Sequence, residues 1–115
     1  MKLIIADDNA KIRKLIRILV RKSFEQIYEC LDGDEVVPCF KENKPDWVFL
    51  DIQMGRMDGF AAAKSLISQF PTARIVIISD FDDQDLRKVS EEIGVKYYLN
   101  KDELFRINTI IKQFN

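Results

Sequence analysis

Histidine is absent from this 115-residue chain, so both the usual general base and the commonest transition-metal ligand are missing. The two cysteines, Cys30 and Cys39, form no CxxC pair and read as buried small apolar residues of a reducing compartment. Chemistry must therefore fall to carboxylates, hydroxyls and lysine. Those types recur at one kind of place. Asp7 and Asp8 follow the run KLIIA, Asp51 follows DWVFL, Ser79 closes RIVIIS, and Lys101 lies just past VKYYL. Should these places converge, three carboxylates, a hydroxyl and an ammonium would share one crevice. The acids would repel one another and stay ionised only if a cation or several donors compensated. An all-oxygen donor set selects a hard ion. Mg2+, which keeps waters and needs only one or two carboxylates beside a phosphate oxygen, fits better than Ca2+ or Zn2+. A carboxylate could then be the nucleophile of phosphoryl transfer and form an aspartyl-phosphate, while Lys101 and the Ser79 hydroxyl hold the nonbridging oxygens.

Taken singly, each residue has an ordinary explanation: an acidic pair after a strand is commonly a solvated turn, and Asp8 or Asn9 could simply cap the first helix. The signal lies in the combination, and it depends on the elements that carry it. Short apolar runs alternate with amphipathic stretches, the pattern of βα units over a parallel sheet. The expected strands are residues 2-6, 26-31, 46-50, 74-79 and 95-99, and the expected helices 9-23, 33-43, 58-69, 82-92 and 102-114. Ile12, Leu15, Ile16, Leu19 and Val20 form one helical stripe, and Leu104, Ile107, Ile110, Ile111 and Phe114 form another. Pro38 falls inside the second helix, which is therefore kinked or starts late. Five such units read as an α/β, (βα)5 doubly wound, flavodoxin-like domain. Its five-stranded parallel sheet has order 2-1-3-4-5, with helices on both faces, and ligands bind beyond the carboxyl ends of strands 1 and 3.

A chain of this length holds one domain, 1-115. No apolar run is long enough to span a membrane, and two aspartates interrupt the start where a signal peptide would still be apolar, so a soluble cytoplasmic protein is expected. Eighteen Lys plus Arg against nineteen Asp plus Glu gives no global reason to bind nucleic acid. The charge is nonetheless uneven. Lys14, Arg17 and Arg21 share one face of the first helix around the apolar Ile18, which is either a solvated face or a docking surface for a phosphodonor.

The segments LIIADDN, LDGDE, PDWVFLDIQMGRMDG, ARIVIIS and GVKYYLNK, in this order and spacing, resemble the response-regulator receiver domains of two-component signal transduction. The resemblance implies a phosphoacceptor signalling domain, at most self-phosphorylating and autodephosphorylating, and no enzyme in the ordinary sense. It implies Asp51 as phosphoacceptor. Asp8, Asp51 and the Gln53 backbone carbonyl would be direct Mg2+ ligands, with Asp7 acting through water. Lys101 would bind the phosphoryl group, Ser79 would be the switch hydroxyl and Tyr98 the aromatic that rotates inward. The phosphodonor would be a histidine kinase or phosphotransfer protein, and a homodimer is possible.

Three positions depart from the family pattern. Gly55 replaces a proline, which should loosen the loop after Asp51. Asp102 replaces the proline after Lys101, which removes the motif for a cis peptide and offers an N-cap for the last helix. Asp80 stands where a small residue is usual and would either crowd the phosphoryl pocket or point to solvent. Other functions fit less well. A flavin or nucleotide binder on this fold needs a Gly/Ser/Thr-rich loop after strand 1, where this chain has ADDNA. A haloacid-dehalogenase-like phosphatase needs D-x-D there. A phosphorylation-independent dimerisation or docking module would be expected to have lost one of the five site residues, and all are present.

Overall fold

The computed structural model describes residues 1-114. Five parallel strands, β1 (Lys2–Ala6), β2 (Gln26–Cys30), β3 (Trp47–Asp51), β4 (Ile75–Ser79) and β5 (Tyr97–Asn100), form one sheet of order β2-β1-β3-β4-β5. Five α-helices alternate with them: α1 (Ala10–Val20), α2 (Val36–Asn43), α3 (Gly59–Gln69), α4 (Gln84–Ile93) and α5 (Ile107–Lys112). This is the expected flavodoxin-like architecture. β3 and β4 are buried at every residue, as strands covered on both faces must be. β2, an edge strand, is exposed at Gln26 and Glu29, half-buried at Ile27 and Tyr28, and buried only at Cys30.

Two cores flank the sheet. Ile4, Val48, Leu50 and Ile77 meet the helices on one side, including α2 and α3 through Phe40, Ala62 and Leu66. Leu3, Ile5, Phe49 and Val76 meet α1 and α5 on the other, through Ile16, Val20, Ile107 and Ile111. The alternation of neighbouring strand residues between these cores is the period-two pleat at work.

The structure corrects several boundaries. Pro38 does not kink α2. Residues Gly33–Glu35 make a 3-10 turn first, and α2 starts late, so that Pro38 falls in its first turn, where its missing N-H leaves no helical bond unmade. β5 begins at Tyr97 rather than Val95 and runs on to Asn100. The last helical segment opens as a 3-10 helix, Lys101–Arg106, before becoming α5. Its N-cap is Asn100, not Asp102: Asn100 accepts from the Asp102 N-H while Glu103 reaches back to the Asn100 N-H in a capping box. Leu15, placed by periodicity in the core stripe, is 43% exposed, because only the Ile16 and Val20 edge of α1 lies fully against the sheet. Cys30 is buried as expected, Cys39 is only partly covered, and both are free thiols.

Candidate functional site

The site lies where β1, β3, β4 and β5 end. Parallel register stacks Ala6 beside Leu50, Asp51 beside Ile78, and Ser79 beside Asn100. The residues that follow or close these strands therefore emerge at one rim. Asn9 caps α1 by accepting from the N-H groups of Lys11 and Ile12, an interaction typically worth about 1 kcal/mol. This leaves Asp8 free and exposed at the rim. Asp7 turns inward. Its Oδ1 accepts from the Asn9 N-H at 2.8 Å, and its backbone is held by Arg13, which donates to the Asp7 carbonyl at 2.7 Å.

Asp7, Asp8 and Asp51 each offer a carboxylate oxygen within 4.8 Å of the others. Asp51 is only 6% exposed. Burial, then the neighbouring Asp7, raise its pKa to about 6, against the pull of Lys101. Burial likewise raises Asp7, although the Asn9 N-H and Lys101 oppose it. The Lys101 ammonium lies 3.4 Å from Asp7, 3.7 Å from Asp51 and 3.4 Å from Asp80. Desolvation would lower its pKa, but Asp51, Asp7 and Asp80 outweigh that and raise it. The ammonium therefore stays charged. One ammonium among four carboxylates leaves the crevice short of positive charge, and its donors are all oxygen. An acidic, hard-donor cluster of this kind could hold a divalent cation.

Ser79 is buried and accepts from the Phe81 N-H at 3.0 Å, leaving its own hydroxyl proton to donate. Tyr98 is half-buried on β5. Its hydroxyl donates to the Phe81 carbonyl at 2.8 Å, and the Arg87 guanidinium sits 4.7 Å from its ring centre. Gln53 is exposed in the loop after β3.

Sequence reasoning noted LDGDE but gave none of its residues a role. Asp32 is buried and accepts from the N-H groups of Arg56 and Met57, fastening the loop that follows Asp51. These N-H groups, Arg56 first, hold its pKa down to about 2 although burial opposes them. Gly33 donates to the Met57 carbonyl at 3.1 Å, and a Cβ there would stand 2.4 Å from that oxygen. At the other end of the loop a Cβ on Gly59 would stand 2.0 Å from the Asp51 carbonyl. Only glycine permits either approach. An Asp-Gly pair directly after a strand was the available signal for this fastening.

The fold and rim define a doubly wound α/β protein with an acidic crevice at the point where winding reverses. Residues 3–114 match the family model of the response regulator receiver domain, and the chain belongs to that family, which serves two-component signalling. It is 32% identical over 115 residues to the chemotaxis protein CheY of Bacillus subtilis, covering 99% of this chain and 94% of that one. It is 36% identical over 104 residues to the uncharacterized transcriptional regulatory protein YhcZ of the same organism, covering 89% of this chain but 49% of that protein. The chain thus spans about half the length of its transcriptional-regulator relatives. Among solved structures, the CheX-CheY-BeF3-Mg2+ complex from Borrelia burgdorferi superposes with a TM-score of 0.85 at 24% identity, covering 100% of this chain and 90% of that one. That likeness concerns the fold. No helix among the described residues is long and apolar enough to cross a membrane.

Proposed function

We propose that residues 1-115 act as one phosphoacceptor unit that takes a phosphoryl group on Asp51 and signals by a change of shape. The observation that carries this reading is the Lys101 ammonium, 3.7 Å from Asp51 and 3.4 Å from Asp7 at the rim of a buried acidic cluster. An Asp51 oxygen would attack phosphorus and form the acyl-phosphate bond. The bond from phosphorus to the donor's imidazole nitrogen or carboxylate oxygen would break, its electron pair leaving with the donor. Lys101 and the Ser79 hydroxyl would hold the nonbridging oxygens, since positioning and charge neutralisation supply most of such catalysis. Asp8, Asp51 and the Gln53 carbonyl would hold Mg2+ directly and Asp7 through water. When bound, the ion would neutralise charge on the phosphoryl oxygens.

The donor would be a histidine kinase or phosphotransfer protein, and a small acyl phosphate could stand in for it. The chain would work in the cytoplasm as a signalling domain, with no substrate turnover beyond its own phosphorylation and autodephosphorylation. A cavity of about 280 Å3 between α4, β5 and α5, lined by Arg87, Glu91, Lys96, Tyr98 and Arg106 among others, is a surface through which a partner or a second copy could read the switch. The deciding experiment is intact-mass spectrometry after incubation with acetyl phosphate and Mg2+. The expected gain is one phosphoryl group in the wild type and none in Asp51→Asn. Equal labelling of both, or labelling unchanged in excess EDTA, would overturn the reading.

A further inference from the structure

Asp80 stands where a small residue is usual in receivers, and the structure settles where it points. Its carboxylate lies 3.4 Å from the Lys101 ammonium, as near as Asp7 and nearer than Asp51. Its side chain is otherwise 61% exposed, whereas that of Lys101 is 12% exposed. The lysine thus lies in the crevice, and Asp80 reaches it from the solvent side. A phosphoryl group on Asp51 would need the same ammonium for its nonbridging oxygens. Asp80 is also bonded in the chain between Ser79 and Phe81, the two residues whose hydroxyl and N-H are joined at the mouth of the crevice.

We propose that Asp80 is an internal competitor for Lys101. It clamps the ammonium in the resting state, slows phosphoryl capture, and is released when phosphoryl oxygens take its place. This rests on the phosphoacceptor reading of Asp51. Asp80 does not touch the reacting atoms and acts through Lys101, so it is a positioning residue. Its exposure makes the pair modest in strength, because water screens it and competes for both partners.

The test compares the full chain with Asp80→Asn and Asp80→Glu in three measurements: the acetyl phosphate dependence of labelling at saturating Mg2+, the affinity for beryllofluoride, and the affinity for Mg2+ alone, the last two by NMR titration. Asp80→Asn should bind beryllofluoride roughly two- to fivefold more tightly and lower the acetyl phosphate concentration for half-maximal labelling by a similar factor, the size expected for a largely exposed ion pair. The rate at saturating donor should change less. Asp80→Glu, which keeps charge and reach, should return to wild-type values. Identical behaviour of wild type and Asp80→Asn overturns the clamp and leaves Asp51 as phosphoacceptor. Weaker Mg2+ binding together with slower labelling of Asp80→Asn overturns it too, by making Asp80 part of the metal site. If neither protein takes up phosphoryl group or beryllofluoride, the phosphoacceptor reading falls and the clamp with it.

Discussion

Ser79 and Tyr98 are joined through a single residue: Phe81 donates its N-H to the Ser79 hydroxyl oxygen at 3.0 Å and accepts the Tyr98 hydroxyl on its carbonyl at 2.8 Å. The buried hydroxyl at the crevice and the half-buried aromatic on β5 are therefore mechanically connected in the resting state. If Asp51 takes a phosphoryl group as proposed, charge and strong acceptor oxygens would be added beside Ser79. Turning the Ser79 hydroxyl toward them would weaken its bond to the Phe81 N-H, loosen the anchor of the Tyr98 hydroxyl and let the ring seek burial. With beryllofluoride and Mg2+, chemical shifts should move at Ser79, Phe81, Tyr98 and along α4. In Ser79→Ala, and separately in Tyr98→Phe, changes along α4 should shrink while those at Asp51 remain. Shifts confined to the Asp51 pocket in the wild type would sink the coupling.

The titration of Asp51 gives a stability prediction with a definite sign. Its folded-state pKa of about 6 lies above the ordinary 3.8, raised by burial first and Asp7 next. Folding thus favours the protonated acid. Its contribution is fully present below about pH 4 and is lost as pH rises through 6. Asp51→Asn cannot ionise and escapes that loss. In EDTA at pH 7.5 the variant should be the more stable protein, by on the order of 1 kcal/mol once screening by water is allowed for. The gap should close toward pH 4. Urea denaturation at several pH values reads it, and a variant less stable at pH 7.5 would contradict the burial argument.

Asp32 behaves in the opposite sense. Its pKa is held near 2, below the ordinary 3.8, chiefly by the Arg56 N-H and also by those of Asp34 and Met57. The stability it contributes is present above about pH 4 and disappears as pH falls toward 2. Asp32→Ala leaves the Arg56 and Met57 N-H groups without this acceptor and slackens the loop that carries Gln53. Mg2+ affinity and the labelling rate should both drop in that variant, and Asp32→Asn, which keeps one acceptor oxygen, should recover part of each. Unchanged Mg2+ binding in Asp32→Ala would separate the loop from the metal site.

The architecture and the acid cluster were readable in the sequence because both rest on short-range signals. Apolar runs at strand length define β1, β3 and β4, and parallel register then brings their next residues together. What escaped depended on three-dimensional detail. The partner of Asp80 could not be known without the reach of Lys101 from β5. Asp102 and Asn100 both suit an N-cap, and the choice turned on where β5 ends: the strand runs one residue past its apolar stretch, to Asn100, which then caps the following turn. Leu15 satisfies the helical period yet lies at the margin of the stripe. The loop-fastening role of Asp32 is a contact across 24 residues to Arg56, beyond any local pattern.

Ser90 supplies a prediction independent of the site. Its hydroxyl is buried on α4 with no hydrogen-bond partner among the described residues. Burying an unpaired hydroxyl costs free energy, and alanine is the better helix former. Ser90→Ala should stabilise the fold by about 1 kcal/mol in a denaturant titration, with labelling on Asp51 unaltered. A destabilised variant would mean that the hydroxyl has a partner in solution.

The α1 surface offers the last prediction. Ile18 is 54% exposed among basic residues, with Leu15 beside it on the same outer side. Lys14 and Arg21 are exposed, whereas Arg17 is tied to Glu29 at 3.0 Å and to the Ile27 carbonyl. The apolar anchor and the charge that would steer a donor protein therefore have different structural roles. Ile18→Ser removes surface area that contributes little to the core, so the fold should persist, while transfer from a cognate histidine kinase falls about tenfold, as for loss of a modest interface anchor. Arg17→Glu sets two acids against each other at Glu29 and should lower stability as well as transfer. Lys14→Glu carries the cleaner charge test, because Lys14 has no ion-pair partner among the described residues, and its effect should grow at low salt as steering does. Labelling by acetyl phosphate should be the same in wild type, Ile18→Ser and Lys14→Glu, since a small donor needs no docking face. If kinase transfer is also the same in all three, α1 is a solvated face and the donor binds elsewhere.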